Sequence, residues 1–160
     1  MLTEKDLQLA IYYYRDNIQP NPIMLPNVYL YFWESDLIYI TNDDYVYEYE
    51  IKLTKGDFKA DAKKETKHRI LAHQGGPRLF YYVCPHGLIN KDEVPEYAGL
   101  IYVSYNNLLK TKILNKKYTI KIIKQAPARS SKKISKNQKD SLLKKATIRF
   151  WREWARQVSP

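Results

Sequence analysis

From Tyr47 to Lys52 the chain alternates without a break: Tyr47, Tyr49 and Ile51, with Tyr45 before them, fall on one parity, Glu48, Glu50 and Lys52 on the other. A period of two belongs to a β-strand, whose successive side chains leave opposite faces. The aromatic parity supplies the apolar side, so the acids are expected off the core-facing side. Upstream, Ser35-Asp36-Leu37-Ile38 leads to a turn signal at Asn42-Asp43-Asp44, and the two runs read as a β-hairpin. With a three-residue loop Thr41 pairs with Tyr45 and, counting outward, Asp36 falls opposite Glu50. A loop one residue different pairs Asp36 with Tyr49 instead. Directly opposed residues have Cβ atoms about 4.5–5.5 Å apart, so two ionised carboxylates there repel each other. Something positive belongs between them, and either a divalent cation held by oxygen ligands or Lys52 would serve.

Asp36 followed by Glu50-x-Lys52 is a short pattern. Its plain reading is a solvent-facing strand whose Glu50–Lys52 ion pair contributes at most about 1 kcal/mol. The flanking sequence is more specific. Ser35-Asp36-Leu37-Ile38, Glu50-Ile51-Lys52 and Asp57-Phe58-Lys59-Ala60-Asp61 are followed by Phe80-Tyr81-Tyr82-Val83-Cys84-Pro85 with Gly87-Leu88-Ile89. Then come Val94-Pro95, Ala98-Gly99-Leu100-Ile101 and Ala126-Pro127 ahead of a basic C-terminal segment. In this order and with these gaps, residues 28 to 156 resemble the MmcB-like DNA-repair group of the PD-(D/E)xK nuclease superfamily. Ser35 stands where that pattern often has proline.

The resemblance implies an α/β, restriction-endonuclease-like fold: a mixed β-sheet flanked by helices, with a basic C-terminal helix. Residues 1–125 would form the nuclease-like core, and 126–160 a basic linker and helix packed on the same domain. It implies a metal-dependent DNA nuclease acting in DNA repair, recombination or phage or plasmid DNA metabolism. Asp36, Glu50 and Lys52 would be catalytic, with Mg²⁺ (or Mn²⁺) held by Asp36, Glu50 and the backbone carbonyl of Ile51. Glu34 and Glu48 are candidate accessory acids, and Glu4 or Asp6 would supply an acid from an N-terminal helix. Two other readings stand beside this one. The chain is then a catalytically silent nuclease-fold protein that binds nucleic acid or a host repair or defence complex, or a scaffold whose basic tail binds RNA.

The net charge of +10 is unevenly placed. Residues 110–160 carry 16 Lys and Arg against 2 acids, whereas residues 1–109 carry 11 against 15. All the excess positive charge thus lies in the last third, as expected if that part tracks a polyanion while the acidic part holds a cation. DNA is the natural polyanion, with Lys55, Lys59, Lys63, Lys67, Arg69, Lys132, Lys133, Lys136, Lys139, Lys145, Arg149 and Arg152 as candidate contacts. A protein partner that directs the chain to its substrate is a further expectation. A highly charged surface or an anionic-membrane contact is the plainer alternative. At 160 residues the chain suits one domain. No apolar run has the length of a membrane span, and the N-terminus lacks a secretory pattern, so a cytoplasmic location in a bacterial or phage-infected cell is expected. Cys84, the one cysteine, excludes an intrachain disulfide and reads as a buried strand residue.

Thr3 with Asp6 predicts a capping box opening a helix to about Tyr14. Asn17 to Pro26 reads as an extended loop, and Val28 to Ile40 as one aromatic-rich strand. Asp57 is expected to cap a helix to about Ala72, with Phe58, Ala62 and Ile70 toward the sheet and Lys59, Lys63, Lys64, Lys67 and Arg69 outward. The apolar runs Leu79–Val83 and Leu100–Val103 suit central strands, and Lys116–Lys124 an edge strand. Ala126 to Ile134 reads as mobile. Ser135 and Gln138 predict a capping box for a helix to about Gln157, with Leu143, Thr147, Phe150 and Trp154 as a core-packing stripe flanked by Ala146 and Trp151. His68 and His73, at the end of the preceding basic helix, are candidate phosphate contacts.

Overall fold

The computed structural model describes residues 1–106 and 117–158. It is an α/β fold built on a six-stranded mixed sheet whose order in space, β1-β2-β3-β4-β5-β6, is its order in the chain. The elements are α1 (Glu4–Ile18), β1 (Ile23–Tyr29), β2 (Glu34–Ile40), β3 (Val46–Ile51), α2 (Lys55–Asp61), α3 (Glu65–Ala72), β4 (Leu79–Pro85), β5 (Gly99–Tyr105), β6 (Tyr118–Lys124) and α4 (Lys136–Val158). β3, β4 and β5 are mutually parallel, and the remaining pairs are antiparallel. The parallel steps need crossovers of a dozen or more residues. The α2–α3 pair makes the first, and residues 86–98, with one 3₁₀ turn at Lys91–Glu93, make the second.

The β2–β3 hairpin takes the expected register. Leu37 pairs with Tyr49 and Ile40 with Val46, and Thr41 N donates to Tyr45 O at 2.9 Å, so one further step outward sets Asp36 opposite Glu50. Val28 to Ile40 is not one strand. The chain reverses at residues 30–33 and β1 returns along β2, pairing Tyr29 with Glu34 and Ile23 with Ile40. Pro26 is tolerated within β1 because that strand lies at the sheet edge. β6 is the opposite edge; its expected start at Lys116 lies outside the described residues.

Both faces of the sheet are covered. On one, Leu7, Ala10 and Ile11 of α1 pack on Leu37, Tyr39, Tyr49, Ile51, Tyr81, Val83 and Ile101. The α1 cap is the predicted Thr3–Asp6 box. On the other face, Leu71 of α3 and Ile89, Val94 and Ala98 of the second crossover pack on Phe80, Tyr82, Cys84, Leu100 and Tyr102. Cys84 is a buried strand residue, and burial pushes its thiol up to about 12. Gly99 is required where it stands, since a Cβ there would lie 2.4 Å from the Tyr81 ring.

The crossover is two helices rather than one. Thr54, not Asp57, is the N-cap, its hydroxyl accepting the Asp57 amide, and the helix breaks at 62–64, leaving Ala62 exposed rather than facing the sheet. The segment from Ala126 to Ile134 is extended but pinned, contrary to the expected mobility. Arg129 N donates to Arg78 O and Ile134 N to Asp44 O, while the Arg129 guanidinium donates to the carbonyls of Leu71, Gly75 and Pro77. Ile134 and Leu142 then close a cluster with Leu25, Val28, Ile38, Ile40 and Val46. The Ser135–Gln138 capping box of α4 is present. Its expected core stripe is not buried: Leu142 faces the sheet, while Leu143, Phe150, Trp151 and Trp154 face solvent. Among the described residues no helix is long and apolar enough to cross a membrane.

Candidate active site

The acidic parity of β3 is not solvent-facing, which corrects the sequence reading. Glu48, Glu50 and Lys52 are all buried, because α2 and α3 fold over that face. Lys52 Nζ lies 2.7 Å from Glu50 Oε1 and 3.5 Å from Asp61 Oδ1. Lys67 is likewise buried rather than outward, with Nζ 2.7 Å from Glu50 Oε2 and 3.3 Å from Asp61 Oδ1. The half-exposed Lys64 adds a third ammonium 3.2 Å from Asp61 Oδ1. Two carboxylates, from a strand and from the end of a helix, are thus held by three lysines. A buried charge left unpaired is strongly unfavourable, and this reciprocal pairing is what allows the charges to be buried.

Asp61, at the end of the Asp57–Asp61 run and outside the catalytic residues that the sequence marks, also lines the cleft at Asp36 and Glu50. Its Oδ2 accepts the Tyr82 hydroxyl at 2.9 Å and lies 3.3 Å from His68 Nε2. Burial alone would raise its pKa, but the hydrogen bond with His68 and the charges of Lys67 and Lys52 outweigh it and hold the carboxyl well below the usual range. His68 is tied into this network, its Nδ1 2.5 Å from the Tyr97 hydroxyl and Nε2 2.7 Å from Asp61 O. His73 Nδ1 lies 2.8 Å from Arg69 O in its own helix.

Asp36 is half-buried at the start of β2, and its Oδ2 accepts the Ile51 amide at 2.7 Å. Burial first and the Glu50 charge second raise its pKa to about 6, against the lowering effects of the Ile51 amide and Lys52. Asp36, Glu50, Ile51 and Lys52 line a cleft of about 340 Å³ together with Glu4, Asp57, Asp61 and Lys64. Of the two N-terminal acids, Glu4 therefore reaches the cleft. Asp6 is occupied elsewhere by Thr3, Lys117 and Tyr118.

The two accessory acids lie apart from the cleft. Glu34 is exposed at the start of β2. Glu48 is fully buried, its Oε1 accepting Trp33 Nε1–H at 2.7 Å, and burial raises its pKa to about 8 despite the Lys67 charge. The candidate phosphate contacts also divide. Lys59, Lys63, Arg69, Lys132, Lys133, Lys136, Lys145 and Arg152 are exposed. Lys55 is paired with Glu93, Lys139 with Asp44 at 2.7 Å, and Arg149 Nη1 donates to Asn27 O at 3.0 Å.

Among the described residues no group of three or more His, Cys, Asp and Glu side chains is arranged to hold a metal ion. Mg²⁺, however, usually needs only one or two carboxylates, the rest of its shell coming from water and substrate phosphate. Asp36, Glu50 and the Ile51 carbonyl offer hard oxygen donors of that kind, and the repulsion that raises Asp36 is what a cation between them would relieve. Each Glu50 oxygen is at the same time held by a lysine ammonium at 2.7 Å, so an ion there would share that carboxylate with Lys52 and Lys67.

No protein-family model matches the chain, and no curated protein matches it. A solved structure of a protein of unknown function from Silicibacter pomeroyi aligns over 99% of this chain and 93% of that one, with a TM-score of 0.61 and 15% sequence identity. That likeness is one of fold.

Proposed function

We propose that this chain is a metal-dependent DNA nuclease of PD-(D/E)xK type, with a restriction-endonuclease-like fold and a role in DNA repair, recombination or phage or plasmid DNA metabolism. One observation carries the reading: Asp36 and Glu50 line one open cleft at the end of the antiparallel β2–β3 hairpin, where Asp36 Oδ2 accepts the Ile51 amide at 2.7 Å and Lys52 lies 2.7 Å from Glu50. Asp36, Glu50 and the Ile51 carbonyl would hold Mg²⁺ or Mn²⁺. Such an ion, when bound, acidifies a water and offsets charge building on a phosphodiester. The Lys52 ammonium, fixed between Glu50 and Asp61, orients that water or donates to a phosphate oxygen. Lys67 holds the other Glu50 oxygen from behind at 2.7 Å, and Asp61 lies within reach of both ammonium groups.

A second reading has its own support. Glu50 is already neutralised by Lys52 and Lys67, as suits a nuclease fold that binds nucleic acid or a repair or defence complex without cutting. Incubation with labelled single-stranded, duplex and branched DNA in Mg²⁺, Mn²⁺ or EDTA separates the two. Metal-dependent cleavage that disappears in Asp36→Asn, Glu50→Gln and Lys52→Ala supports the nuclease. Full activity in all three folded variants refutes the site, and binding without cleavage in every condition selects the silent reading.

A further inference from the structure

The turn from β1 to β2 projects a bare aromatic side chain. Phe32 is 88% exposed, although a side chain of this type is ordinarily buried, while the residues on either side of it are held down. Trp33 is buried, and its Nε1–H donates to Glu48 Oε1 at 2.7 Å. Gly76 leaves room for the Trp33 ring, since a Cβ there would lie 3.4 Å from it, and the Tyr31 ring packs on Trp33 with centroids 5.2 Å apart. The turn is pinned through residues 31 and 33, and Phe32 between them is presented outward on a firm base.

Two hollows meet at this ring. One, of about 330 Å³, is lined by Tyr31 and Phe32 together with Lys132, Lys133 and Gln138, and by no acid. The other, of about 350 Å³, is lined by Phe32 and Trp33 with Lys63, Lys64 and Lys67 and a single acid, Glu65. Lys63 and Lys64 stand exposed at the break between α2 and α3. Lys63 and Lys132 enter no ion pair among the described residues. The second hollow also adjoins the candidate active site: Lys64 lines both it and the cleft, and Lys67 holds Glu50 Oε2 at 2.7 Å.

We propose that Phe32 is a stacking post for an unpaired base of a nucleic-acid strand, whose phosphates lie against Lys63 and Lys64 on one side and Lys132 and Lys133 on the other. An exposed ring with lysines around it is the combination an unpaired strand requires, since every base offers a π-face and every nucleotide a charge. A duplex keeps its base faces inside the stack and would engage the lysines alone. A lipid surface takes a continuous apolar face rather than one ring between two lysine-lined hollows. From Phe32 the strand runs past Lys64 into the cleft at Asp36 and Glu50. That last step rests on the nuclease reading, whereas stacking on Phe32 is read without a metal.

The test is fluorescence anisotropy with the full chain in EDTA, using labelled oligo(dT), oligo(rU), a duplex and an abasic oligomer of equal length at several salt concentrations, beside vesicles containing phosphatidylserine. Oligo(dT) or oligo(rU) is expected to bind more tightly than the duplex and the abasic oligomer, the better of the two telling DNA from RNA. Phe32→Ala should weaken that binding about tenfold with an unchanged salt slope and leave the abasic oligomer unaffected, whereas Phe32→Tyr retains it. Lys63→Ala with Lys132→Ala should instead reduce the salt slope by about 1.4, at ~0.7 for each phosphate contact. No loss with Phe32→Ala, or an equal loss on the abasic oligomer, overturns the proposal. So does Phe32-dependent capture on vesicles without strand binding, which assigns the ring to a lipid surface. Metal-dependent cleavage that persists while Phe32→Ala changes nothing defeats this inference alone. Phe32-dependent strand binding with no cleavage in any metal defeats the nuclease reading alone.

Discussion

Lys67 Nζ lies 2.7 Å from Glu50 Oε2, while Lys52 Nζ lies 2.7 Å from the other oxygen of the same carboxylate. Both lysines also face Asp61. Burial by itself would lower the Lys67 pKa, but Glu50, Glu48 and Asp61 outweigh it and raise the value. Removing this ammonium leaves buried carboxylates under-compensated. Lys67→Ala is expected to cost about 3–5 kcal/mol in urea unfolding. A cost below about 1 kcal/mol would mean that Lys52 and Lys64 suffice to hold the two acids.

Asp36 is set to titrate near 6. If the cleft acts with this carboxylate ionised, cleavage should fall about tenfold for each pH unit below that value. Carboxyl-carbon NMR should place the Asp36 midpoint near 6 in the wild type and lower in Glu50→Gln. That variant removes one repelling charge but leaves the burial that supplies the larger part of the shift. An Asp36 midpoint in the ordinary carboxylate range would contradict the geometry.

Glu48 gives a stability profile of predictable sign. Burial raises its carboxyl from 4.5 to about 8, so across that window the folded protein keeps a proton that the unfolded chain has lost. Stability therefore falls as pH rises from about 5 to 8, and the contribution flattens above that. Glu48→Gln retains an acceptor for Trp33 and has no proton to lose. It is expected to gain roughly 1–3 kcal/mol on the wild type between pH 5 and pH 8, measured by thermal unfolding at both. Parallel pH profiles for the two proteins would rule this out.

Arg129 fastens the segment between β6 and α4 by donating to Leu71 O, Gly75 O and Pro77 O. Arg129→Ala leaves three carbonyls without that donor and should cost about 1–3 kcal/mol. Limited proteolysis is expected to show new cleavage around Lys132 and Lys133, beside the anchor, while sites elsewhere stay protected.

Of the two hairpin registers that the loop length left open, the structure takes the one given by a three-residue Asn42-Asp43-Asp44 loop, in which Leu37 pairs with Tyr49 and the tyrosine parity stays on the core face. The burial of Glu48, Glu50 and Lys52 was not legible in the sequence. Alternation reports which side chains share a face, but not whether a later crossover covers that face, and the partners that make burial tolerable, Asp61 and Lys67, lie on helices one connection further along. The same limit explains Glu4. It reaches the cleft because of how α1 lies over β2 and β3, while Asp6, two residues on, turns toward β6. On α4 the stripe was found but its direction was not. Leu142 and Leu143 differ by one position, about 100° around a helix, and it is Leu142 that meets the sheet.

Because the six strands stand in the sheet in the order in which they are made, each new strand finds its neighbour already present at the growing edge. No strand must be inserted between two others, and no distant segment must return before a ladder can close. By the time β4 has emerged during synthesis, Asp36, Glu50, Lys52, Asp61 and Lys67 are all available to meet. The charged centre can therefore neutralise itself on the ribosome, before the strongly basic last third of the chain has been translated.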